Sequence, residues 1–146
     1  MAAKFGKVRV AMVVLLASLA LVACRREPAE QRLRAAVQEL QTAIEARDSD
    51  AVEDVLAADF IGPEGLDRQG ARRLAAAMFL RHGDVGANLG PLDIELKGAN
   101  AVVRFPAVVR GGELLSGSGG AYDVETGWRE ESGEWRLYRA QWTPVL

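Results

Sequence analysis

The chain has 146 residues, 49% of them hydrophobic and 26% charged, with a formal net charge of −2 and a single cysteine. That length suits one domain with a modest core, and one thiol excludes an internal disulfide and a thiolate metal cluster. The charge balance supplies no basic face for nucleic-acid phosphates, so nucleic acid is excluded as a partner.

Lys4, Lys7 and Arg9 make the start of the chain positive, and residues 10–23 form an apolar to weakly polar run broken only by Ser18. Its fourteen residues rise about 21 Å as a helix, short of a bilayer core of about 30 Å, which fits a secretory leader better than a permanent span. Leu21-Val22-Ala23-Cys24 closes the run with small residues and the cysteine. The tetrad resembles the lipobox of bacterial lipoproteins. That resemblance implies a signal peptide over residues 1–23, cut before Cys24, with acyl chains on the Cys24 thiol and on the new amine. Two or more buried chains, at about 0.8 kcal/mol per methylene, make such an anchor durable. Arg25, where sorting signals place aspartate, implies the outer membrane, with the body on the periplasmic side. An uncleaved N-terminal anchor and an ordinary thiol are the competing interpretations. Without the leader, fifteen Lys and Arg face twenty Asp and Glu, a formal charge of −5. No polybasic patch helps to hold a membrane, so lipid must do so.

Residues 24–30 are charged, contain Pro28 and form a short tether; the domain covers residues 31–146. Leu33, Val37, Leu40 and Ile44 recur at helical spacing, predicting an amphipathic helix over about 30–46. Ser49 is the expected N-cap of a second helix, with Asp50, Glu53 and Asp54 in its first turns, ending near Asp59. Between Phe60 and Leu66 the Gly-Pro-x-Gly middle predicts a tight turn with two brief extended arms. Asp67 caps a third helix whose stripe is Ala71, Leu74, Ala75, Met78 and Phe79, and His82-Gly83 is its expected stop, with glycine left-handed.

From Leu92 the period changes to two. Leu92, Ile94 and Leu96 share one face of a strand, Gly98 to Asn100 turns the chain, and residues 101–110 return. Pro106 there predicts a bulge or an edge. Gly111-Gly112 is a hairpin signal, and the glycines at 117, 119 and 120 predict a bend before Tyr122, Val124, Thr126 and Trp128 line up on one face. The last strand, 135–143, is expected to put Trp135, Leu137, Arg139 and Gln141 on one face, and Arg136, Tyr138, Ala140 and Trp142 on the other.

Helices followed by antiparallel strands make an α+β domain. Three local pieces, residues 46–52, 70–74 and 135–142, in this order resemble the nuclear transport factor two-like superfamily, which includes the SnoaL-like and ketosteroid isomerase groups. The resemblance runs from about Leu33 to Trp142. It implies three N-terminal helices on a strongly curved antiparallel sheet of about four long strands plus a short arm pair. Such a cone can hold a small ligand, and the family often dimerises through its sheet face. The strand aromatics and arginines would then lie at the contact.

The isomerase chemistry of that superfamily needs a tyrosine in the first helix and a carboxylate base near the arm pair. The first helix has no tyrosine, and Gly62 and Pro63 occupy the place of the base. Candidate acids and bases are limited to Asp59, Glu64, the only histidine His82, and Tyr122. No metal site or cofactor is expected, since one histidine without paired spacing builds no such site. The glycine cluster lacks the lysine, the hydroxyl and the following helix of a phosphate cradle. Phe60, Phe79, Phe105, Tyr122, Trp128 and Trp142 are the candidate ligand-binding residues. Arg104, Arg129, Arg136 and Arg139 on the strands would suit an anionic ligand if buried. Two functions follow: a lipid-anchored, non-catalytic domain binding a small apolar or anionic ligand or a protein, or a small acid-base enzyme acting as an isomerase, dehydratase or hydrolase.

Overall fold

The computed structural model describes residues 6–14, 26–110 and 120–145. Cys24, Gly111-Gly112 and the glycines at 117 and 119 lie outside the described residues. Residues 6–14 are helical and exposed.

The first helix of the domain, α1 (Ala29–Glu45), buries Leu33, Ala36, Val37 and Ala43, with Leu40 packed beside them. Trp135 Nε1 donates to the Ala29 carbonyl at 3.1 Å, pinning the start of α1 to the last strand. The helix ends in a left-handed turn at Arg47, φ 57°, and α2 (Ser49–Val55) follows. Its cap is Asp48, not Ser49. The Asp48 carboxylate accepts from Asp50 N at 3.1 Å and Ala51 N at 3.0 Å, where it also meets the positive end of the helix dipole.

The helix stops at Val55 rather than near Asp59, because Leu56–Ile61 becomes strand β1, paired parallel with the last strand. Leu56, Ala57 and Phe60 are buried by that pairing, so burial and backbone partners override the helical pattern. The expected arms shrink to one bridge, Ile61 to Asp67, around a 3-10 turn at Pro63–Gly65. As predicted, Asp67 caps α3 (Arg68–Arg81), accepting from Gly70 N at 2.7 Å. The helix stops at His82 in an extended conformation, φ −119° and ψ 122°, and Gly83 is not left-handed.

The remaining strands are β2 (Gly86–Leu89), β3 (Asp93–Lys97), β4 (Asn100–Arg110), β5 (Gly120–Glu131) and β6 (Glu134–Pro144). The sheet runs β1-β6-β5-β4-β2, with β3 also on β4. It is mixed rather than wholly antiparallel, since β1 runs parallel to β6, and β2 is a strand the sequence pattern did not announce. Among the described residues the long strands are β4, β5 and β6.

Pro106 creates no bulge: the β4–β5 register is continuous from Asn100↔Arg129 to Val109↔Gly120. Its carbonyl accepts from Gly90 N at 2.8 Å, and a residue's N and O point to the same side of a strand. The missing N–H therefore faces the gap between β3 and β2, where no ladder bond is lost. A bulge occurs in β6 instead. Gly127 pairs with Arg139 and Trp128 with Leu137, which leaves Tyr138 as the extra residue. The alternation expected for β6 thus breaks at Tyr138. Trp135 and Leu137 before it, and Ala140 and Trp142 after it, all face the core. Gly127 accommodates the bulge, since a Cβ there would sit 2.8 Å from Tyr138 Cζ.

Candidate functional site

The helices α1, α2 and α3 cover the concave side of the sheet without filling it. The five residues of the predicted α3 stripe, Ala71, Leu74, Ala75, Met78 and Phe79, face a cavity of about 250 Å³. Its opposite wall is the inner row of the sheet: Phe105, Ala107 and Val109 from β4, Val124, Thr126 and Trp128 from β5, and Leu137, Ala140 and Trp142 from β6. Phe60 closes one side from β1. Leu74 belongs to the wall and is 38% exposed, so the cavity reaches solvent beside α3.

Among the described residues no Asp, Glu, Lys, Arg or His lines this space. The polar groups on its wall are Gln41, Thr126 and the two indoles. Thr126 donates to the Val103 carbonyl at 2.9 Å and accepts from Trp128 Nε1 at 2.9 Å. Gln41 Nε2 donates to the Ala87 carbonyl at 2.9 Å and to Glu45 Oε1 at 3.2 Å. Trp142 Nε1 is buried and finds no acceptor.

Of the six aromatics selected from the sequence, the structure brings Phe60, Phe79, Phe105, Trp128 and Trp142 to this cavity. Tyr122 is buried on the same face of β5 but lies outside the lining. The alternation of β5 and the stripe of α3 were the signals that found this wall.

The four candidate acids and bases are not brought together. Asp59 sits on β1 at the outer face, where Arg129 holds it in a two-pronged pair at 2.6 and 3.3 Å. The hydrogen bond from Arg129 is the main cause of an Asp59 carboxyl held below its ordinary range. Arg129 also meets Glu131 at 2.9 Å and lies over the Tyr138 ring, 5.2 Å from its centroid, and both carboxylates raise its pKa. Glu64 is in the 3-10 turn with φ 59°, His82 ends α3, and neither these nor Tyr122 line the cavity. Among the described residues no group of three His, Cys, Asp or Glu is placed to hold a metal ion.

The strand arginines lie outside the cavity. Arg104 pairs with Glu125 at 2.8 Å and Glu95 at 3.5 Å, and Arg136 with Glu134 at 2.5 Å. The tryptophans, in contrast, point inward, so a partner docking on the outer sheet face would meet ion pairs rather than a band of aromatics. An open cleft of about 690 Å³ between the start of α1, β1 and the β5–β6 hairpin is lined by Arg32, Arg68 and Arg136 but also by five carboxylates. Arg32 is bound to Glu130 at 3.1 Å and Arg68 to Glu53 at 3.3 Å, so this cleft offers an anion no surplus positive charge.

No protein-family model matches the chain, and no curated protein matches it by sequence. Solved structures do. A candidate aromatic ring hydroxylase from Novosphingobium aromaticivorans superposes with a TM-score of 0.70 at 17% identity, over 83% of this chain and 93% of that one. A nuclear transport factor two-like protein from Cytophaga hutchinsonii gives 0.66 at 17% identity, over 81% and 99%. The fold is nuclear transport factor two-like. A candidate dehydratase with the same nuclear transport factor two-like fold, from Streptomyces avermitilis, gives 0.63 at 18% identity, over 80% and 95%. The cavity described above is therefore the interior of a nuclear transport factor two-like cone.

Proposed function

We propose that the chain is a lipid-anchored, non-catalytic binding protein of the bacterial envelope, whose cone takes up a small apolar molecule. Supporting the first half are the positive start, the short apolar run and the Leu21-Val22-Ala23-Cys24 tetrad, with Cys24 as the lipidated residue. Residues 1–23 are the leader, 24–30 the tether and 31–146 the domain. The outer membrane, periplasmic face, is the location that Arg25 favours. No helix among the described residues is long and apolar enough to cross a membrane.

The observation that carries the second half is a cavity of about 250 Å³ with no ionisable side chain on its wall among the described residues. General acid-base catalysis needs a titratable group within hydrogen-bond reach of the reacting atom, and among the described residues none lines the space. An empty hollow is costly. At about 24 cal/mol per Å³, a dry void of 250 Å³ would cost up to about 6 kcal/mol, against a total stability of about 5–15 kcal/mol. Apolar cavities of about 150 Å³ already take up benzene, so this one has room for a larger guest.

Toluene tests the cavity. Binding is expected to quench tryptophan fluorescence and raise the melting temperature in proportion to the logarithm of its concentration. No change at aqueous saturation refutes a binding cavity. For the anchor, native protein is expected to sediment with membranes and Cys24→Ala to remain soluble; equal sedimentation of both refutes lipidation at Cys24.

A further inference from the structure

We infer that the cavity holds the alkyl tail of a single-chain anionic amphiphile, such as a medium-chain fatty carboxylate, while its charged head stays outside against the arginines of α3. This rests on the binding function proposed above and adds the chemistry of the guest.

The wall offers a guest almost only carbon. Its polar groups are committed to the protein: Thr126 serves Val103 and Trp128, the Gln41 amide nitrogen serves Ala87 and Glu45, and Trp142 Nε1 is itself buried. An oxygen or nitrogen carried inside would lose its water and find no replacement, so the polar part of a guest stays at the opening. That opening lies beside α3, where Leu74 lines the cavity and is 38% exposed.

Helix α3 carries four arginines and no carboxylate. Arg68 and Arg72 turn toward α2, where Glu53 and Asp50 neutralise them at 3.3 and 2.6 Å. Arg73 and Arg81 make no side-chain hydrogen bond or ion pair among the described residues. Arg73 adjoins Leu74 in the chain. Arg81 follows Leu74 by seven residues and the lining residue Met78 by three, so it stands within about 20° of Leu74 on the same face of the helix. Two uncompensated positive charges thus flank an opening into a carbon-lined space. A tail enters, and an anion is held at the rim.

The length of the tail follows from volume. A cavity of about 150 Å³ takes up benzene, with its six carbons, so 250 Å³ corresponds to roughly ten carbons.

The test uses three ten-carbon probes, below their micellar concentrations, on the full-length protein: decanoate, 1-decanol and decylammonium. All three are expected to displace toluene. Two exposed charge pairs are each worth about 0.2–1 kcal/mol at low salt, so decanoate is expected to bind about tenfold tighter than decylammonium, with decanol between. The gap is expected to narrow in high salt, which tests the inference without any variant. In the Arg73→Glu/Arg81→Glu variant the order of decanoate and decylammonium is expected to reverse, while toluene binds as in wild type. Arg139→Glu makes the same change on the exposed outer face of β6 and is expected to keep the wild-type order. Equal affinity of decanoate and decylammonium, an unchanged order in the double variant, the same reversal in Arg139→Glu, or decyl probes that leave toluene in place overturns the inference while the cavity function stands. Failure of toluene to bind the wild-type protein overturns both.

Discussion

Two alanines on the same face of β4, Ala101 and Ala107, give opposite expectations for the same substitution. Ala107 lines the cavity; Ala101 is 1% exposed, sits opposite Trp128 in the ladder and belongs to the closed core. Leucine at either position adds three carbons. At 107 they enter open space, and burial at about 0.8 kcal/mol per methylene, less about 0.5–1 kcal/mol of side-chain ordering, leaves a gain of about 1.5 kcal/mol. At 101 they enter a filled site, where overpacking costs about 1–3 kcal/mol. For a domain of this size the melting temperature of Ala107→Leu is expected to rise by about 5 °C, and that of Ala101→Leu to fall by about 4–12 °C. Calorimetry or thermal denaturation followed by circular dichroism reads both. Ala107→Leu is also expected to weaken toluene uptake, because it takes up part of the space. If Ala107→Leu destabilises the protein as Ala101→Leu does, the space beside β4 is already occupied by protein and the cavity argument fails.

Thr126→Val keeps the volume but leaves the Trp128 N–H buried with no acceptor, and is expected to cost about 1–3 kcal/mol in chemical denaturation; an unchanged midpoint would show that this bond contributes nothing. Gly127→Ala forces the Tyr138 ring away from a Cβ that would lie 2.8 Å from its Cζ. Its destabilisation is expected to shrink in a Tyr138→Ala background, and simple additivity of the two changes would contradict the contact. Asp59 has a folded-state pKa below its unfolded value, so its pairing with Arg129 contributes stability above the ordinary carboxylate range and loses it as pH falls through the depressed pKa. Asp59→Asn is therefore expected to melt lower than wild type at neutral pH and low salt, with the gap closing below pH 4 or so and in high salt. A gap that persists in acid would assign the effect to something other than the carboxylate.

Much of the cone was legible because periodicity reports burial. The spacing of Leu33, Val37 and Leu40, the α3 stripe and the alternation from Tyr122 to Trp128 each marked the face that the structure buries. Asp67 was recognisable as a cap from its position alone. The segment 56–61 was not, because Ala57 and Ala58 continue the helical composition of α2; only the partner β6, some eighty residues away, makes it a strand. Strand β2 was hidden for a related reason. It is four residues long, Gly-Ala-Asn-Leu, and its pairing with β4 rather than its propensity defines it. The cavity itself was half visible. Sequence named five of its aromatics, but a void is a property of how elements stand apart, which no residue type encodes.

The extra residue in β6 decides more than the direction of one ring. Deleting Tyr138 would leave Leu137, Arg139, Ala140, Gln141 and Trp142 alternating regularly, each still on the side it occupies now. What would change is the bend, since a bulge both kinks its strand and increases the local twist. A straighter β6 would shift Ala140 and Trp142 relative to α3 and change the size of the hollow with every wall residue retained. Capacity and chemistry are thus set separately in this protein, one by the length of a single strand and the other by the side chains upon it, so the pocket can be resized without being repainted.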